Sequence, residues 1–181
     1  MNQTPRVIRP HGGYRKLKSF RAAAIIYDGT ACFCRLYIPR TSRTFDQMVQ
    51  AARSGKQNIA EGSRVAGTSR RSELKLLGVA RGSLSELLED YLDFLRQRAL
   101  AVWAKDDIRV WKIRSLIYQA DSFQSYEKLV QASPECAANT MICLVFQAGY
   151  LLDRQLAFLE RDFLMNGGFT ENLFRARAAR R

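Results

Sequence analysis

Covalent chemistry by side chains needs a nucleophile beside a base. This chain has a single histidine, His11, inside MNQTPRVIRPHGG, a stretch with two prolines, two glycines and no hydrophobic periodicity. That leaves the folded part without a Ser-His or Cys-His pair. No GxxxxGK[ST] or GxGxxG phosphate loop occurs. The four cysteines make no chelate. Cys32 and Cys34 sit two apart, pointing about 200° away from each other on a helix. Cys136 and Cys143 share a face but lie two turns apart, roughly 10 Å by helical rise. They read as free thiols, with no metal and no cofactor implied. Carboxylates cluster at Glu86, Glu89, Asp90 and Asp93 and at Asp106-Asp107; Glu86, Glu89 and Asp93 share one helical face and could hold a divalent ion, the competing reading being a solvated or arginine-paired face.

The basic residues are more informative. Lys and Arg number 29 against 17 Asp and Glu, a net charge of +12, which predicts a strong field felt by polyanions. Residues 1 to 27 carry Arg6, Arg9, Arg15, Lys16, Lys18 and Arg21 with no acid, and Arg15, Lys18 and Arg21 fall on one helical face. Arg64, Arg70 and Arg71 cluster at a turn, and Arg175, Arg177, Arg180 and Arg181 end the chain. Such clusters fit contacts to backbone phosphates of RNA or DNA, with little base readout. Tyr14 alternates with these charges as a candidate for stacking on a base, whereas Phe20 belongs to an apolar seam.

The elements that must position these groups are all helical. A 3,4 alternation through Leu17, Phe20, Ala24, Tyr27, Ala31, Cys34 and Ile38 predicts a first helix over 14–38, ended by Pro39. Phe45, Met48, Ala52, Gly55, Ile59 and Gly62 predict a second over 43–66. Leu77, Ala80, Leu84, Leu87, Tyr91 and Phe94 predict a third over 69–99. Residues 101–132, with Trp103 and Trp111, read as a helical insertion packed on the side or end. Ser133-Pro134-Glu135 supplies an N-cap, a first-turn proline and an early acid for a fourth helix over 134–165, with Ile142, Val145, Gly149, Leu152, Leu156, Leu159 and Phe163 on its seam. Residues 1–13 form a flexible basic arm and 166–181 a basic tail. The fold class is all-α: one four-helix-bundle domain over 14–165 with an insertion before its fourth helix and a basic C-terminal suffix.

Within the second helix, SGKQNIAEGS (54–63) puts Gly55 and Gly62 on the seam, where a glycine costs about 1 kcal/mol against alanine and is compensated by close approach of a neighbour. Gly78 and Gly82 make a second small-residue strip, facing either the first or another subunit. Ser54, Asn58 and Glu61 line the seam as a polar stripe, read either as a register-fixing layer or as a subunit contact.

QAARSGKQNIAEGS (50–63) followed by ELKLLGVARGSLSELLEDYLDFL (73–95) resembles the signature of the four-helix-bundle proteins encoded by intervening sequences in bacterial 23S ribosomal RNA genes. Ala52, Ser54, Asn58, Ile59, Ala60, Glu61 and Gly62 match its first motif, and Ala80, Gly82, Ser83, Leu84, Glu86 and Leu87 its second. The resemblance implies a homo-oligomer, since that family and the similar accessory proteins of diversity-generating retroelements form five-membered rings with a basic surface. Those accessory proteins bind nucleic acid and a reverse transcriptase. It attaches no catalytic residue to the fold. The insertion and the suffix depart from the short family members.

With no secretory signal at the N-terminus and no apolar run approaching about 18 residues, the expectation is a cytoplasmic chain with no membrane partner. The leading reading is a non-enzymatic, oligomeric nucleic-acid-binding protein, with an accessory subunit of a reverse transcriptase as one concrete version. An interaction scaffold for an acidic partner and a metal-dependent nuclease built on the third-helix acids are the alternatives.

Overall fold

A computed structural model of the protein describes residue 8 and residues 10–117 and 119–179. All regular structure among them is helical. A single 3-10 turn, Tyr14–Lys16, precedes α1 (Lys18–Tyr37); then come α2 (Arg43–Val65), α3 (Arg70–Gln97), α4 (Ile108–Ile117), α5 (Gln124–Ala132), α6 (Pro134–Asn166) and α7 (Phe169–Ala178). The long helices α1, α2, α3 and α6 enclose the core, with α1 against α2 and α6, and α3 against the same two. Helix starts are set by hydroxyl caps. Ser42, Ser69 and Ser133 each accept a first-turn N–H, from Thr44, Ser72 and Cys136, and Pro134 takes the position where its missing N–H is harmless. Gly167, at φ +67°, ends α6 in the left-handed region that glycine adopts without strain.

The seams of α2 and α3 are buried as their periodicity demands. Met48, Ala52, Ile59, Leu77, Ala80, Leu84, Leu87 and Tyr91 have no exposed surface. Helix α1 differs from its expected seam. Its fully buried residues are Ala23, Ile26, Thr30, Phe33 and Cys34; the first three stand one position before the half-buried Ala24, Tyr27 and Ala31, whereas Cys34 is buried as expected. The cause is a third neighbour. Tyr37 donates to the carbonyl of Val130 in α5 at 2.8 Å, and a Cβ on Gly29 would lie 2.7 Å from Met141 Sδ in α6 and 3.1 Å from Phe123. Covered by α2, α5 and α6 together, α1 buries most of its circumference, so its apolar pattern has no single stripe to display. Phe33 is the centre of an aromatic cluster, its ring 4.9 Å from Tyr91 and 4.8 Å from Phe94, and the Tyr91 hydroxyl donates to Thr30 Oγ1 at 2.9 Å.

Asn139 fastens the insertion. Its amide donates to the carbonyls of Ala101 and Glu135 and accepts the N–H of Trp103 at 2.8 Å, while Trp103 Nε1 donates to Glu135 Oε1 at 2.7 Å. Arg109 covers the Trp103 ring at 4.0 Å and grips Asp107, whose carboxyl is held below its usual range by hydrogen bonds from that guanidinium and from the Arg109 N–H. Part of the arm expected to be flexible lies against the body: Gly12 N–H donates to the Ser63 carbonyl at 2.9 Å, and His11 packs on Gly67.

By length and composition the helical stretch Pro134–Ala178, which contains α6, is apolar enough to cross a bilayer, with a window of mean hydropathy 1.3. Its Ala137, Ala138, Met141, Val145, Ala148 and Leu152 are spent on the core.

Candidate nucleic-acid interface

Two basic clusters that are far apart in sequence meet at Tyr14. Arg64, near the end of α2, donates to the Tyr14 hydroxyl at 3.2 Å, and its guanidinium stands 5.0 Å from the ring centroid; Arg15 stands 5.2 Å from the same centroid. Phe20 adds an edge-to-face contact at 4.7 Å. The ring is only 9% exposed, so it has no free face for a base, and its part is to gather two arginines. From there the positive charge continues along α1. Arg21 Nε donates to the Arg15 carbonyl at 3.2 Å, and Arg21 joins Lys18 and Arg154 in lining a groove between α1 and α6. Asp121 is the acid in that groove, 3.8 Å from Arg21 in a pair exposed enough to be worth little.

The remaining arginines are placed differently. Arg70 is not a surface cation: its guanidinium bonds Glu73 and, at 2.9 Å, Asp162 near the end of α6, and the three side chains are 16%, 7% and 18% exposed. Two carboxylates on one guanidinium leave no positive surplus for phosphate. Burial nevertheless pushes the Glu73 carboxyl above its usual range, with Arg70 opposing. Arg71, one residue on, is exposed, as are Arg175 and Arg177 on α7; Arg180 and Arg181 lie outside the described residues, with Arg6 and Arg9.

The small residues divide into two kinds. Gly55 is buried, and a Cβ there would stand 2.8 Å from Leu84 Cδ2; Gly62 is buried too, and a Cβ there would stand 3.4 Å from the Glu73 carbonyl oxygen. Gly78 and Gly82 face outward with nothing within 4 Å, so the two strips do not meet within the chain. Of the polar stripe, Ser54 shares a 3.0 Å hydrogen bond with Ser83 across the α2–α3 contact, and Asn58 donates back to the Ser54 carbonyl and hydroxyl. Glu61 is exposed.

The third-helix acids are not gathered. Asp93 pairs with Arg96 at 2.8 Å, and Glu86 turns with Asp90 and Asp46 into a shallow α2–α3 groove. Among the described residues no three His, Cys, Asp or Glu side chains converge to hold an ion. The thiols are inert in character: burial pushes Cys34 up to about 12 and Cys143 up to about 11.

Sequence reasoning missed Arg154 and its companions. Phe146, Tyr150 and Arg154 recur every fourth residue on the outward face of α6, and that off-seam spacing was the available signal. Compared with protein-family models, with curated proteins and with solved structures, the chain finds no match.

Proposed function

We propose that this protein is a non-enzymatic nucleic-acid-binding four-helix bundle, with α1, α2, α3 and α6 as its four members, that works as a cytoplasmic homo-oligomer. The observation that carries the reading is the continuous basic band of Arg64, Arg15, Arg21, Lys18 and Arg154, drawn from α1, α2 and α6, with Asp121 as its acid. Guanidinium and ammonium groups in line, with one weakly paired acid among them, are suited to phosphates, and binding of this kind releases counterions. The resemblance of residues 50–63 and 73–95 to the 23S intervening-sequence proteins supports the same reading, and extends it to a five-membered ring and to service beside a reverse transcriptase. The exposed strip of Gly78, Val79 and Gly82, and the apolar end formed by Phe158, Leu164, Met165 and Phe174, offer surface for neighbouring subunits. That same apolar end favours a second reading, an interaction scaffold whose charge faces an acidic protein.

Titration of labelled RNA and DNA at several salt concentrations separates the two. Binding should weaken with a log–log slope of about 0.7 to 0.9 per phosphate engaged, and neutralising Arg15, Lys18 and Arg21 together should lower both affinity and slope. Absence of binding at low salt leaves the scaffold reading in front. Light scattering reads the oligomer in the same preparations, and a monomer at micromolar concentration removes the ring.

A further inference from the structure

The groove between α1 and α6 does not end at Arg154. Tyr150 and Gln147 belong equally to a second groove on the other side, which Lys105, Arg114 and Phe146 line. Tyr150 and Phe146 are 55% and 58% exposed, one helical turn apart, at the junction of two basic grooves. Arg154 donates to the Tyr150 hydroxyl at 3.2 Å with its guanidinium over the ring at 5.9 Å from the centroid, a distant contact that steadies the phenol while more than half of the side chain stays exposed. This is the reverse of Tyr14, whose ring is covered. We propose that Tyr150 and Phe146 form a stacking platform for unpaired bases, so that the ligand of this face is single-stranded nucleic acid.

The charge favours that occupant over another protein surface. Cations flank the two rings on both sides, Lys18, Arg21 and Arg154 on one and Lys105 and Arg114 on the other, against Asp121 alone among the groove acids. A protein contact centred on two aromatics has a core depleted in charge, whereas a strand brings phosphates to the flanks and π-faces to the middle. The rings are separated by about 6 Å of helical rise, close to two base steps of about 3.4 Å. A duplex keeps its base faces stacked internally and has none to offer. The inference rests on the nucleic-acid reading and narrows it to one strand state.

The test compares a mixed-sequence single strand of about 20 nucleotides, as RNA and as DNA, with its duplex, by anisotropy on the full chain. Tyr150→Leu and Phe146→Leu should each weaken both single strands about tenfold and leave duplex affinity and all salt slopes unchanged. Tyr150→Phe, which keeps the ring and loses only the hydroxyl, should bind single strands nearly as wild type does. Both side chains are exposed, so circular dichroism of the variants should superimpose on wild type. If wild type binds but the leucine variants lose nothing, or lose duplex and single strand alike, the platform is wrong while the basic band stands. If wild type binds neither form at low salt, the nucleic-acid reading falls and takes the platform with it.

Discussion

Arg70, the first residue of α3, is joined to Asp162, near the end of α6, by a 2.9 Å ion pair that spans 92 positions of sequence. With Glu73 it forms a triad that is nearly out of solvent, and the Arg70 Nε is buried without a hydrogen-bond partner. Its attraction therefore works against a considerable desolvation cost, and the triad ties α3 to α6 more than it adds stability.

Removing the cation alone is the damaging change. Arg70→Ala should cost about 3 to 5 kcal/mol by leaving the buried Glu73 carboxylate without its guanidinium. Without Arg70 the folded-state pKa of Glu73, already raised by burial, rises further above its unfolded value, so the folded form holds that proton more tightly and stability increases as pH falls. The deficit against wild type should shrink on acidification. Denaturant melts at neutral and at acid pH check this, and a deficit independent of pH would place the loss in packing rather than charge.

The two glycine strips should answer substitution oppositely. Gly55→Leu drives a side chain into Leu84 and should cost about 1 to 3 kcal/mol. Gly82, whose strip was expected to face the first one or another subunit, has open space around it within the chain. Gly82→Ala should gain about 1 kcal/mol of helix propensity, a rise of about 2 to 4 °C in Tm for a chain of this size. A fall in Tm together with a fall in mass by light scattering would show that a second copy occupies the strip.

That contrast shows what the residues reveal before any coordinates. Gly55 and Gly62 lie on the Met48, Ala52, Ile59 seam, whereas Gly78 and Gly82 lie beside the Leu77, Ala80, Leu84 seam, so helical phase alone separates buried from open. Helices α2, α3 and α6 each begin at a hydroxyl cap, and are readable within a residue or two of Arg43–Val65, Arg70–Gln97 and Pro134–Asn166. Helix α1 is buried beyond its expected stripe because α5 adds a third contact, and no local pattern announces that. Arg70 resembles any arginine in a first turn; its burial depends on Asp162, which only the packed α3 and α6 bring near.

A local strain is concentrated at Ala99, whose φ of +52° sets a β-carbon in the left-handed region at the end of α3. The turn is held by Ala99 N–H to the Arg96 carbonyl and Leu100 N–H to the Leu95 carbonyl at 3.0 Å. Such a conformation costs about 1 to 2 kcal/mol for a non-glycine residue, offset in a glycine variant by about 0.4 to 1 kcal/mol of extra unfolded-state freedom. Ala99→Gly should therefore stabilise by a few tenths to about 1 kcal/mol. Thermal melts of the variant measure it, and destabilisation would show that Ala99 does not hold the left-handed turn.

Asp90 sets a pH dependence of its own. It lies in the α2–α3 groove with Asp46 and Glu86, and burial first, then the charges of Asp93 and Glu86, push its carboxyl above the usual range. In the window between the unfolded value of 3.8 and the raised folded value, the native state holds the proton more tightly, so stability falls as pH rises. The cost is fully present at neutral pH and disappears below the unfolded value. Asp90→Asn removes the charge and keeps the shape, so it should be more stable than wild type at neutral pH and indistinguishable from it in acid, where Asp90 itself is neutral. Paired urea titrations across that range read the difference directly. An asparagine variant less stable than wild type at neutral pH would mean that the Asp90 carboxylate is held by a favourable partner that outweighs its burial and the charges of Asp93 and Glu86.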